Sequence, residues 1–262
     1  MNGVTIYEYH IPLAGVPKTV LYQFNDLHLA VADEFSDDED KAMVERSIEG
    51  WNRGRISFAS AYGEPTGEEQ LLPTTEQLRK MLSVIGDADA LLLAGDIVDY
   101  PSEANYRHLN KRLAEVQIPI LSVCGNHEDP IADPVQVLEF EGFTVVGLDD
   151  ARREITAEQN EQLLAILAKG KPVFLLMHIP VFAPGYEHLF RFCDEYYRLN
   201  HSKATDETKR FLDILQQHTA QIKGIFAGHL HFNSVTQVAP ETKQYVCTQG
   251  VIAGMNRYVI GE

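Results

Sequence analysis

Five apolar runs in this chain end in side chains able to bind a metal ion. KTVLYQFNDLHL delivers Asp26 and His28, LLLAGDIVD delivers Asp96 and Asp99, and IPILSVCGNHED delivers Asn126 and His127. KPVFLLMHIP then delivers His178, and IKGIFAGHLHF delivers His229 and His231. An apolar run followed at once by such residues is the pattern of a buried strand that stops where the backbone turns and presents a side chain in a pocket. Asp96 is the candidate centre, because four apolar residues run into Gly95 and the carboxylate follows directly. Taken singly, an acid at a strand end equally caps the next helix, and a strand-end histidine equally sits satisfied in a core. The repetition is what points to one shared site.

Imidazole and carboxylate together suit Zn, Mn or Fe, and seven candidate ligands exceed what one tetrahedral zinc accepts. Two metals sharing a bridging aspartate would use them. In two-metal hydrolases the ions lie about 3.5–4 Å apart, clamp phosphoryl oxygens and lower the pKa of water toward roughly 7. That is a phosphoester hydrolase in outline.

The ordered series DLH, GDIVD, GNHE, the strand-end His178 and GHLH spans residues 26 to 231 and resembles the calcineurin-like metallophosphoesterases. The resemblance implies an α/β fold, a four-layer α/β/β/α sandwich of two mixed sheets with outer helices, and a dinuclear site at the strand ends. It places one divalent or trivalent ion (Mn, Fe or Zn) on Asp26, His28, Asp96 and His231. A second falls on Asp96, Asn126, His178 and His229, with Asp96 bridging. By the same resemblance His127 faces the phosphoryl group, stabilising it or protonating the leaving oxygen, and Asp99 orients and charges that imidazole. Asp99 could instead cap the helix after Pro101. Tyr100 stands where the family's Ser/Thr protein phosphatases usually carry Arg, which argues against a protein phosphatase. GNHE in place of GNHD pulls weakly away from the phosphodiesterase branch.

At 262 residues and 45% hydrophobic content the chain can bury a full core, and a single domain over 1–262 is expected, with a cap or insert at about 180–202. A net charge of −16 disfavours broad attraction to nucleic acid or an anionic membrane. Cys124, Cys193 and Cys247 are widely spaced and read as reduced thiols. No leader pattern or apolar run of about 18 residues is present, so a cytoplasmic protein with no membrane span is expected. The expected substrate is a small phosphodiester or nucleotide-like ester. The alternatives are a phosphomonoester and a non-enzymatic scaffold that kept the fold.

The elements that must position these residues follow from periodicity. Strands are expected at 4–10 and Val20 to Phe24, paired with each other through a turn at Pro12 to Pro17. Ser36 with Glu39 predicts a capping box and a helix carrying Val44, Ile48 and Trp51, and 53–73 reads as an irregular loop or pocket rim. Thr74 with Gln77 predicts a second capped helix, Ser102 a third from Glu103 to Val116, and Thr156 with Gln159 a fourth that closes at Gly170. Strands are expected before Cys124 and at 143–148, and a helix near Asp206 to His218. The tail reads as an antiparallel meander. Aromatics from Phe182 to Tyr197 either stack on a base or ring or form the core of a small helical insertion, the latter favoured. Arg53, Arg55, Arg191 and Arg198 are candidate phosphate-gripping residues, against the commoner solvated or ion-paired role.

Overall fold

The computed structural model describes residues 3–66, 73–183 and 204–262. Most of the expected insert, with Cys193, Arg191, Arg198 and all its aromatics except Phe182, lies outside the described residues. Two mixed sheets form the middle. The first runs β1 (Thr5–Ile11), β11 (Gly254–Ile260), β2 (Thr19–Phe24), β3 (Ala90–Ala94) and β4 (Ile120–Val123) across its width. The second runs β5 (Val135–Phe140), β6 (Phe143–Leu148), β7 (Val173–Leu176), β8 (Ile222–Ala227), β10 (Thr242–Val246) and β9 (Ser234–Ala239). Strands β2, β3 and β7 are buried along their whole length, as parallel strands covered on both faces must be. Strands β1, β5 and β9 alternate between buried or half-buried and exposed residues, and each lies at a sheet edge.

Leu21, Leu92, Val145, Phe174, Phe226 and Tyr258 fill the space between the sheets. On the outer face of the first sheet, α3 (Thr74–Leu82) and α4 (Glu103–Leu113) bury Leu78, Met81 and Leu109. On the outer face of the second, α5 (Ala157–Leu167) and α6 (Asp206–Gln217) bury Leu163, Leu167, Phe211 and Leu215. The four layers are therefore helix, sheet, sheet, helix. Because β2, β3 and β4 run parallel, as do β6, β7 and β8, their carboxyl ends open toward one rim.

Several local expectations change. Strands β1 and β2 do not pair: β11 lies between them, parallel to β1 and antiparallel to β2. The tail is therefore no meander, since β9 and β10 form a hairpin on the second sheet while β11 crosses to the first. Adjacency in sequence suggested a hairpin, but central β11 buries six of its seven residues and so gains more from the interior position. The first helix, α1 (Asp38–Arg46), is capped by Asp37, whose side chain accepts from the Asp40 amide; the Ser36 hydroxyl accepts from the Asp33 amide in a turn of its own. A wide π turn at Ser47–Trp51 carries the chain into α2 (Asn52–Ala61), so the expected loop at 53–73 is helical over its first part. Thr74 opens α3 without a side-chain cap and instead lies 3.4 Å from the Ala30 amide. Ser102 caps α4, and Thr156 with Gln159 forms a full capping box on α5.

Candidate metal centre

The five apolar runs do converge. Asp26 and His28 follow β2, Asp96 and Asp99 follow β3, Asn126 and His127 follow β4, His178 follows β7, and His229 and His231 follow β8. Asp26, His28 and His231 offer ligand atoms within 4.8 Å of one another, and Asp96, His178 and His229 do the same. Asn126 and His127 line the same cavity, of about 600 Å³.

The backbone pays for this convergence in conformation. Asp26, His28, Asp96, His229 and His231 all have positive φ, between 48° and 69°. Such conformations cost of order 1–3 kcal/mol each for a residue with a Cβ, and they persist only where surrounding bonds over-determine them. Those bonds are present. The Asp26 and His28 amides donate to Gly95 and Asp96 carbonyls, locking the loop after β2 to the loop after β3. The His229 amide donates to Asp26 Oδ2, and the His127 amide to Asp96 Oδ1. Gly95, at φ 80°, permits the turn into Asp96, and a Cβ there would lie 2.7 Å from His178 Nδ1. A Cβ on Gly125 would collide with Asp96 Oδ1 at 2.1 Å.

Ring tautomers follow from the partners. His178 Nδ1 lies 2.7 Å from the Ala94 carbonyl oxygen, which only accepts, so Nδ1 carries a hydrogen and Nε2 is the atom turned toward the cluster. That Nε2 is 3.0 Å from His229 Nδ1 and 3.4 Å from Asp96 Oδ2. Across the site, His231 Nε2 is 3.3 Å from His28 Nε2 and 3.2 Å from Asp26 Oδ1. Asp26 Oδ1 is buried and makes no hydrogen bond among the described residues. Carboxylate oxygens and imidazole nitrogens gathered this closely need a shared cation or proton. The donor set fits divalent ions of the Zn, Mn and Fe group.

The electrostatics agree. Burial raises Asp26, but His231, close against the carboxylate, and the charge of His178 outweigh it, and the carboxyl titrates below its usual range. Asp96 is likewise lowered against the effect of burial, chiefly by His178. Burial lowers His178, yet Asp96, Asp26 and Asp150 lift it to about 10. Its neighbour His229 falls to about 3 through burial and the charge of His178. The two shifts oppose each other because the ring nitrogens lie only 3.0 Å apart.

Asp99 takes an unexpected part. His127 Nδ1 donates to its backbone carbonyl at 2.7 Å, while its carboxylate lies 3.6 Å from that nitrogen. The carboxylate instead approaches His28 Nδ1 at 3.1 Å, receives Arg55 at 2.7 Å and accepts from the Ser47 hydroxyl. Asp99 does not cap α4, a role held by Ser102. Arg55 is thus engaged by a carboxylate rather than free for phosphate. Burial pushes the Asp99 carboxyl up, but His28 and Arg55 hold it at about 2.

Three supports escaped the sequence reading. Glu128 accepts from the amides of Asp96, Ile97, Val98 and Gly125, stapling the loop after β3 to the loop after β4. Asp150 accepts from the His178 and Ile179 amides and holds the loop after β7. Asn25 donates to Asp26 Oδ2 and is itself held by Gln23, which accepts from the Tyr258 hydroxyl between the sheets. Signals existed: Glu128 completes GNHE, and Asp150 ends a sixth apolar run, FTVVGLDD.

The sequence model described as Calcineurin-like phosphoesterase matches residues 19–233. The chain belongs to that family. It is a member of the metallophosphoesterases. A curated protein of Synechococcus sp. named "Probable cyclic nucleotide phosphodiesterase" is 22% identical over 161 residues. That match takes in 55% of this chain and 58% of the relative, so the chain spans little more than half the length of that protein. A dimetal phosphatase from Danio rerio superposes with a TM-score of 0.52 at 13% identity, covering 93% of each chain, which shows a shared fold. Among the described residues, no helix of this metallophosphoesterase is long and apolar enough to cross a membrane.

Proposed function

We propose that this chain cleaves small phosphodiesters or nucleotide-like esters at a dinuclear centre, with Asp26, His28 and His231 holding one ion, Asn126, His178 and His229 the other, and Asp96 both. The observation that carries the reading is the pair of Asp/His clusters at one rim, built almost entirely from residues in strained, positive-φ conformations. A binding scaffold has no use for buried carboxylates and imidazoles gathered at that cost. Two ions held by these residues would supply positive charge against phosphoryl oxygens and lower the pKa of water toward neutrality.

The chain's own residues do the rest. His178 keeps its hydrogen on Nδ1 through Ala94, so Nε2 stays a donor of electrons. His127 keeps its hydrogen on Nδ1 through the Asp99 carbonyl, which leaves Nε2 as the atom that holds or passes a proton to the leaving oxygen. Its ring is about a third exposed, in the cavity rather than in the core. Asp99 fixes the ring of His28 through its carboxylate and that of His127 through its backbone carbonyl, with the carboxylate 3.6 Å from His127 Nδ1. A diester is favoured by the relative named for cyclic nucleotides. Tyr100 stands where a protein phosphatase would carry Arg, and its hydroxyl donates to the Asp40 carbonyl.

The test pairs metal analysis of the purified protein with hydrolysis of bis(p-nitrophenyl) phosphate and p-nitrophenyl phosphate, with and without Mn²⁺. About two ions per chain and faster cleavage of the diester are expected. No bound metal and no turnover with any divalent ion would leave a scaffold.

A further inference from the structure

Helix α2 carries a glycine that the fold does not require. Among the described residues Gly54 is the only glycine inside an α-helix. Its φ is not positive, and a Cβ built on it meets nothing within 4 Å, so neither a turn nor a close packing contact explains it. Alanine at such a position makes a more stable helix. Gly54 lines the cavity of the metal centre, and so do Trp51, the last residue of the π turn three positions before it, and Phe58, four positions after it on α2. Gly50, one turn earlier, also lines the cavity and also faces open space.

We propose that Gly54, between Trp51 and Phe58, forms a subsite for a flat aromatic ring, the nucleobase of a nucleotide-like ester whose phosphoryl group lies at the metal centre. The inference rests on the phosphoesterase reading of that centre. The inner end is fixed by the Phe58 ring, which stands edge-on to candidate ligand His231 at 6.4 Å and 85°. The outer end is Trp51, 44% exposed at the cavity and so placed there at the cost of leaving a large apolar side chain in water. Seven residues of helix separate them, about 10 Å at 1.5 Å per residue, a span that accommodates a purine. The bare backbone at Gly54 lets the ring approach the helix, and the aromatics supply stacking that tolerates different bases.

Trp51 is the only tryptophan of the chain, so its fluorescence reports on this subsite. Adenosine 5′-monophosphate and ribose 5-phosphate, which differ by the base, are titrated against wild type, Gly54→Leu and Gly54→Ala by fluorescence and calorimetry. In wild type the nucleotide quenches Trp51 and binds at least tenfold more tightly than the sugar phosphate. Gly54→Leu reduces that ratio to near one, and Gly54→Ala raises Tm by about 2–4 °C while lowering the ratio less. Equal affinities in wild type, or a ratio unchanged in Gly54→Leu, overturn the subsite. Hydrolysis of a ring-free diester, glycerophosphoethanolamine, with Mn²⁺ is followed in parallel. Cleavage without any Gly54-dependent base preference overturns the subsite alone. Base preference lost in Gly54→Leu supports it even where no ester is cleaved.

Discussion

The strand-end floor of the site and the helical wall beside it are built on opposite terms. On the floor, Asp26, His28, Asp96 and His178 are buried, and their backbones are bonded loop to loop. On the wall, α1 buries no residue, Ile48 and Trp51 are 42% and 44% exposed, and the connections to the floor are few. Ser47 and Arg55 reach Asp99, and Gln249 donates to the Arg55 carbonyl. The floor's residue types are dictated by the chemistry of the ions they would hold. The wall's are dictated by what has to fit beside them, which leaves many sequences admissible.

The sharpest way to break this contrast is Asp96→Asn. It removes the shared ligand and leaves His178 Nε2 facing an amide, and the expected loss of turnover is at least about 100-fold, beyond the 10–100-fold typical of an outer partner. Bound metal falls with it. Near-normal metal content and rate in this variant would show that the floor is not organised around Asp96. His127→Ala comes next. A general acid contributes about 10²–10⁴-fold, so turnover falls by that order while metal content stays near wild type. Loss of the metals instead would move His127 into the ligand set.

Those two residues were legible in the sequence because a strand end demands a particular side chain at a particular place, whatever the rest of the chain does. The capping box of Thr156 with Gln159 was legible for the same reason: its physics is complete within four residues. The place of β11 between β1 and β2 was not, since it depends on strands more than two hundred residues apart competing for one central position. Helix α2 was hidden by Gly54 and by the glycines and prolines that follow it, Gly63, Pro65, Gly67 and Pro73, whose density reads as a loop. The destination of the Asp99 carboxylate was hidden because Arg55 arrives from a stretch that reads as a loop, and nothing in the expected helix through Ser47 signals that it meets this site.

Glu128→Gln probes the floor's support without touching a candidate ligand. The carboxylate accepts from four amides, and a glutamine NH₂ would face donors on one side. Leaving such buried groups unpaired costs about 1–3 kcal/mol, a fall in Tm of about 2–10 °C. Metal affinity should fall about 10–100-fold as the loops after β3 and β4 loosen. A variant with unchanged Tm would mean that the positive φ of Asp96 is held by the bonds to the loop after β2 without help from Glu128.

The smallest effect is expected where wall and floor meet. Asp99→Asn and Arg55→Met both weaken the support of His28, but at different removes. The first alters the group that lies 3.1 Å from His28 Nδ1, and the second only the guanidinium on the far side of that carboxylate. Asp99→Asn should therefore lower metal affinity by about 10–100-fold, as for a direct outer partner, and Arg55→Met by less than about 10-fold. Arg55→Met should also raise amide exchange in α2 while leaving exchange in β3 unchanged, because it cuts one of the few connections between the two regions. Equal losses of metal affinity in the two variants, with exchange raised in β3 as well, would erase the distinction and make the helical wall part of the floor.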